Sequence, residues 1–281
     1  YRGMVDDAHA LLNNSNADLW VVQKDTQGPY AEASSIKEDA VRSVRGMPGV
    51  SRASNVTYFT MQVQAPSGTD VRAMVVGIEE GQPGEPGYLL AGRQITRAHY
   101  EAVADIKSGF ALGDRIQIRR HTFTVVGITQ RMVSSGGDPM VFVGIKDAQD
   151  AQFLKDNDAI LNDRARNTEN PAINRPGVPG LLEAVQASQL SSHNVNAVLV
   201  QVDQSQDPEE VAAPIRRWKH LQVYTRAGME EILVAKLIAT SAKQIGMFLV
   251  ILAIVSAAIV AFIIYTMTMG KIREIAVLKL I

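Results

Sequence analysis

Met247–Met267 reads MFLVILAIVSAAIVAFIIYTM, and no residue in it is charged. About 20 consecutive apolar residues carry a helix across the hydrocarbon core of a bilayer, whereas a run of about 10–14 suits a buried core helix. This run is too long for the second reading. Its place late in the chain excludes a signal peptide. A transmembrane helix is therefore predicted over 247–269. Upstream, Met229–Gly246 is rich in helix formers and has no proline, and Ile232, Leu233, Leu237 and Ile238 recur at helical spacing. One helix over Met229–Met269 would be roughly 60 Å long at 1.5 Å per residue, about twice the hydrocarbon thickness. Residues 226–246 should then stand outside the membrane as a stalk whose apolar face needs a partner, best supplied by another helix.

Lys271, Arg273 and Lys279 follow the span closely, while Lys243, Lys236 and Arg226 precede it at wider spacing. Counted near the ends of the span, these charges favour a cytoplasmic C-terminal side and an extracytoplasmic N-terminal part.

The 281 residues carry a net charge of -1 and no cysteine. No basic field is available to hold a nucleic-acid backbone. Disulfides, thiolate metal sites and cysteine nucleophiles are excluded. The near-zero mean hydropathy hides an uneven spread of apolar residues.

In the N-terminal part, Asp18–Gln23 reads as a strand. Ser35 and Glu38 have capping-box spacing. Ile36, Ala40, Val41 and Val44 then share a helical face that ends at Gly46, Pro48 and Gly49. Val50–Gln64, rich in aromatic and β-branched residues, reads as the next strand. The same order returns at Asn196–Val202, at the Asp207-capped helix with Pro208 in its first turn and a stripe of Val211, Ile215 and Trp218, and at Leu221–Tyr224. Two strand–helix–strand units predict a split α/β layer. Between them lie a strand at Asp70–Ile78, a glycine–proline loop at Gly81–Gly87, a hairpin through Arg115–Ile128, a turn at Ser134–Pro139 and a strand at Met140–Ile145. These read as a β-rich insert. Asn162–Gly180, polar and with three prolines, reads as a long exposed loop.

No chemistry-bearing constellation emerges. His9, His99, His121, His193 and His220 are scattered without metal-ligand spacing. There is no phosphate loop, so this chain does not itself bind ATP through one, and no nucleophile elbow. The pairs Glu209–Glu210 and Glu230–Glu231 sit in first turns of helices, where the helix dipole favours them. Glu79–Glu80 is a third adjacent pair. Trp20 and Trp218 read as core residues. Within the span, the hydroxyls of Ser256 and Thr266 are candidates for helix packing or a transport path. No catalytic residue, metal ligand or cofactor is assigned.

Taken in order, a Tyr1-Arg2-Gly3 start, ADLWVVQKDTQGPYAEAS (17–34), VRGMPGVSRAS (44–54), GFALGDRIQIRRHTFTVVGI (109–128), MVFVGIKDAQ (140–149) and KIREIAVLKLI (271–281) resemble the permease subunits of MacB-like ABC transporters, the FtsX-like permease superfamily. The first of the longer segments is most similar to the DevC-type exporters. The resemblance covers essentially the whole chain. It implies four membrane helices with a large outer domain between the first and second, so the chain would run from just after the first helix to within the cytoplasmic segment after the second. Lys271, Ile272, Arg273, Glu274, Ile275, Leu278 and Lys279 match the segment that contacts a separate ATPase subunit in that family. Ile272, Ile275 and Ala276 share a helical face there.

The resulting expectation is an α+β extracytoplasmic domain, a split strand–helix–strand layer plus a β-rich lobe, followed by a long stalk and transmembrane α-helix. Its parts would be a stalk continuation at 1–17, the first half of the layer at 18–69, the β-rich lobe at 70–194, the second half of the layer at 195–225, a stalk helix at 226–246, the transmembrane helix at 247–269 and the coupling segment at 270–281. The resemblance implies an inner-membrane efflux permease without enzymatic activity of its own. Its partners would be an ATP-binding subunit, a second permease copy (the same or a related chain), a periplasmic adaptor and membrane lipid. The rival function is an FtsX-like regulator that activates a cell-wall hydrolase. The added β-rich lobe favours export.

Overall fold

The computed structural model describes residues 9–32, 34–152, 168 and 194–278. The expected loop at Asn162–Gly180 therefore lies outside the described residues except for Thr168. So do residues 1–8 and Lys279. Two compact units are present, Tyr1–Val234 and Ala235–Ile281.

In the first unit a helical segment α1 (residues 9–14) leads into β1 (Leu19–Gln23), which pairs antiparallel with both β11 (Ala197–Val202) and β12 (Leu221–Thr225). β11 pairs in turn with β3 (Val50–Gln64). The two strand–helix–strand units therefore share one sheet. Successive side chains of a strand point to opposite faces, and in β1 both faces are covered. Leu19 and Val21 pack with Val41 and Val44 of α2 (Ala40–Arg45) and with Val211 and Ile215 of α4 (Pro208–Arg216). Trp20 and Val22 pack on the other side with Leu11 and Leu12 of α1. This explains why LWVV is apolar without alternation.

β3 is long enough to serve two structures. Val50–Val56 pairs with β11, and from Thr57 onward the strand pairs with β4 (Asp70–Ile78). β4 continues to β9 (Met140–Gly144), β9 to β6 (Glu101–Asp105), β6 to β8 (His121–Thr129), β8 to β7 (Arg115–Ile118), and β7 returns to β3 through Gln117 and Gln64. The β-rich lobe is thus a closed six-stranded ring, and β5 (Ala91–Gly92) adds to β8 outside it. Val63, Val75, Ile116, Phe123, Val125 and Val141 fill its interior. The alternation of exposed Arg115 and Gln117 with buried Ile116 and Ile118 places the apolar half inside. The ring begins at Thr57, inside β3, rather than at residue 70.

At the point where β3 changes partners, Asn196 stands in for a strand. Its N–H donates to the Val56 carbonyl at 3.1 Å, and its carboxamide oxygen accepts the Tyr58 N–H at 2.7 Å.

The structure corrects two local readings. Ser35 and Glu38 do not form a capping box: Ile36–Lys37 is a short strand, β2, paired with β10 (Asn194–Val195), and the helix starts only at Ala40 after Asp39. Ladder pairing with a distant segment has taken the backbone that the cap would have used. The strand at Met140 ends at Gly144, and Ile145–Gln152 forms α3. α3 lies close on β4, because a Cβ on Gly77 would fall 2.4 Å from that of Ala148. The Asp207 cap forms as expected, its side chain accepting the Glu209 N–H with Pro208 behind it.

Two buried carboxylates hold the 93–100 loop against the ring. Glu101 accepts both guanidinium nitrogens of Arg93, at 2.5 and 2.9 Å, and the N–H groups of Thr96 and Arg97. Hydrogen bonding by Arg93 outweighs the burial that opposes it and holds the Glu101 carboxyl at about 2. Asp147, from α3, meets His99 Nδ1 at 2.6 Å and accepts the Tyr100 N–H at 2.9 Å.

A single helix, α5, runs unbroken from Arg226 to Leu278. Within it, Ile245–Met269 is apolar enough and long enough to cross a membrane, and none of it is buried by the protein. Phe248 is 70% exposed and Phe262 67%. A helix apolar on all sides with no protein around it needs lipid or other helices as its surroundings.

Candidate functional site

The candidate site lies where α5 leaves the outer domain. Its first turns carry Met229 and Leu233, both essentially buried in the cluster that holds Leu11, Leu12, Trp20 and Tyr30. Gly28, at φ +92°, gives the Met229 methyl its room. Burying a methionine and a leucine contributes roughly 1.5–3 kcal/mol each, so the helix is rooted in the core and not merely continuous with the last strand.

Polar contacts fix the rotation of this root. Arg226 donates to Asn13 Oδ1 at 2.9 Å, to the Ala17 carbonyl at 2.9 Å and to Asp18 Oδ1 at 3.3 Å. Asp18 is itself held, accepting the Val202 N–H with its other oxygen. His9 and Glu230 stand 3.2 Å apart. Beside Met229's cluster, Tyr30 and Tyr58 meet edge to face with their hydroxyls 3.4 Å apart, and burial pushes both phenols up. The segments that enter and leave the folded domain, α1 and the start of α5, therefore lie side by side. Among the described residues nothing at the root pairs a nucleophile with a base.

The residues singled out from the sequence lie elsewhere on α5. Lys271, Ile272, Arg273, Glu274, Ile275 and Leu278 all fall within the helix. Ser256 is exposed in the span. Thr266 bonds back to the carbonyls of Phe262 and Ile263 at 3.0 and 2.9 Å, so its hydroxyl is satisfied by its own helix. The root was missed in the sequence. Arg226 counts there only as one more charge before the span, and neither Gly28 nor Asn13 announces a partner some 200 residues away. Of the adjacent glutamates, Glu209 pairs with Arg216, Glu79 approaches Arg45 at 3.8 Å and accepts the Asn55 N–H, and Glu230 meets His9. Among the described residues no group of three metal-ligating side chains gathers.

The sequence profile of the MacB-like periplasmic core domain matches residues 1–218. No curated protein matches. Among solved structures, the periplasmic region of MacB from Actinobacillus actinomycetemcomitans is similar, with 9% identity, 82% of this chain and 96% of that one covered, and a TM-score of 0.48. The extracellular domain of the noncanonic ABC-type transporter YknZ from Gram-positive bacteria is similar at 12% identity over 74% of this chain and 99% of that one, TM-score 0.44. A domain of a putative permease from Porphyromonas gingivalis follows at 11% identity, 75% and 91% coverage and a TM-score of 0.43. With the profile spanning most of the chain, as far as the end of α4, the protein belongs to the family of MacB-like periplasmic core domains.

Proposed function

We propose that the chain is the force-transmitting part of an efflux permease in the inner membrane. A partner ATP-binding subunit on the cytoplasmic side closes on ATP and displaces the segment at Lys271–Lys279. α5 carries that displacement to the outer domain. The domain, paired with that of a second permease copy, expels substrate already outside the membrane. A periplasmic adaptor would receive it. The chain itself does no chemistry.

The observation that carries this reading is that α5 has no break between Arg226 and Leu278 and that its first turns are buried in the domain core. A lever needs both a stiff shaft and a fixed end. Proline or a glycine–serine pair would give a kink, and α5 contains neither. The side-by-side packing of α1 and the α5 root supports an outer domain inserted between two membrane helices.

The test uses the full-length permease with its ATPase in nanodiscs. Glu274→Ala keeps every positive charge, so a segment that only fixes orientation would tolerate it, as it would Ile275→Ala. A coupling segment loses substrate-stimulated ATPase activity and transport in both variants while membrane insertion stays normal. Full activity in both variants would reject the coupling role.

A further inference from the structure

Three segments far apart in sequence meet around a small opening of about 330 Å³. α1 and the turn after it give Asn13, Asn14 and Asn16, the loop after β4 gives Gly87 and Tyr88, and the turn after β8 gives Gln130 and Arg131. Backbone bonds hold the first two segments together. The Gly84 N–H donates to the Ser15 carbonyl at 2.8 Å, and the Gly87 N–H to the Asn14 carbonyl at 2.9 Å.

The opening is rich in carboxamides, and most of their capacity is uncommitted. Asn13 gives its oxygen to Arg226 at 2.9 Å and keeps its NH2. Among the described residues, the side chains of Asn14, Asn16 and Gln130 and the Tyr88 hydroxyl have no hydrogen-bond partner. Arg131, the one charged residue in the lining, has an interaction of its own. Gly87 shows where the amides point. A Cβ there would stand 3.2 Å from both Asn14 Oδ1 and Asn16 Nδ2, so an acceptor and a donor converge on the space that the glycine leaves open. The backbone at Gly87 is not left-handed, so its conformation does not call for glycine. Tyr88, next to it, is 51% exposed. Arg131 holds φ +60°, a left-handed backbone that an L side chain resists. Such outliers gather at ligand clamps.

We propose that this opening binds a neutral carbohydrate. A carboxamide carries two donors and two acceptor lone pairs on one flat group. Adjacent sugar hydroxyls, each able to donate and accept, use both, whereas a bare cation would use only the oxygens and a bare anion only the NH2 groups. The Asn14 acceptor and the Asn16 donor take one hydroxyl pair. The C–H face of the sugar ring packs on Tyr88, whose ring has an apolar body and a polar tip. A peptide amide shares the donors and acceptors but has no such face. The volume stands at the small end of the range for small-molecule sites, about 300–1,000 Å³. The site stands apart from the transport reading, since its guest need not be the molecule expelled.

The test is saturation-transfer NMR on the chain in phosphatidylcholine nanodiscs, with the signal of empty nanodiscs subtracted. The probes are the methyl glycosides of glucose, galactose and mannose, at least one of which should bind saturably. Tetrahydropyranylmethanol, which keeps the ring and lacks the ring hydroxyls, should bind at least about tenfold more weakly. Gly87→Ala should weaken the bound glycoside by at least about tenfold, and Asn14→Ala by about three- to tenfold. Tyr88→Ala should weaken it by a similar factor, while Tyr88→Phe keeps the packing face and retains binding. Arg119→Gln, at the opposite end of β8, should leave binding unchanged. The assignment fails if none of the three glycosides binds, if tetrahydropyranylmethanol binds as well as they do, or if N-acetylglycinamide binds more tightly than any of them. It fails equally if Gly87→Ala and Asn14→Ala both bind unchanged, or if Arg119→Gln weakens binding as much as they do.

Discussion

A Cβ on Gly28 would lie 2.7 Å from the Met229 methyl, so the loop after β1 and the root of α5 are fitted to each other. Gly28→Ala must also hold a left-handed backbone that an L side chain resists, at about 1–2 kcal/mol. Met229→Ala opens a cavity and should cost about 2–4 kcal/mol. The double variant should cost less than the sum, because the new methyl at 28 takes up part of the space left at 229. Denaturant midpoints of the four proteins in nanodiscs form the cycle; strict additivity would show that the two sites are not in contact.

Asn196→Ala tests the partner change in β3. The substitution removes the acceptor of the Tyr58 N–H and the donor to the Ser34 carbonyl, which lies 2.6 Å away. Leaving buried groups unsatisfied costs about 1–3 kcal/mol. Hydrogen exchange should accelerate first at Tyr58. Asn196→Asp, which restores only the acceptor, should recover part of the protection at Tyr58.

Glu101 supplies a pH signature. Its folded-state carboxyl is held at about 2, below the ordinary 4.5. A depressed carboxyl stabilises the fold above the unfolded value and loses that contribution as pH falls from about 4.5 through 2. Arg93 is half-exposed, so screening reduces the gain to about 1–3 kcal/mol. Glu101→Gln should therefore be less stable than the parent at pH 7 and converge with it near pH 2. A difference that persists at pH 2 would assign the loss to packing.

His99 should show the opposite sign. Hydrogen bonding to Asp147 raises its ring above the usual 6.5. A raised histidine stabilises below its unfolded value and loses the contribution as pH rises through the folded one. Ring-proton NMR should place the His99 midpoint above the ordinary 6.5. In Asp147→Asn the difference should close, although Tyr100 can keep its acceptor.

The extents of β3 and β4, the Asp207 cap and the continuity of α5 across Met229–Met269 were legible because each is a local pattern: β-branched runs, a capping side chain, uncharged helix; the helix itself is longer, Arg226–Leu278. The ring was not, since parallel pairing of β4 with β9 and of β6 with β8 brings together segments whose own patterns say only that they are strands. β2 was misread because Ile36 and Lys37 have helical neighbours and a partner in Asn194 and Val195 that only the fold supplies. The root needed Arg226 to meet Asn13, and no periodicity reports an encounter of that kind.

The strand that runs through both the layer and the ring sets the terms for anyone recombining such domains. A graft of the ring cannot be cut at a loop, because the seam falls between Val56 and Thr57, in mid-strand. A chimera must bring Asn196 with it, or leave the splice without a side chain that bridges its two ladders.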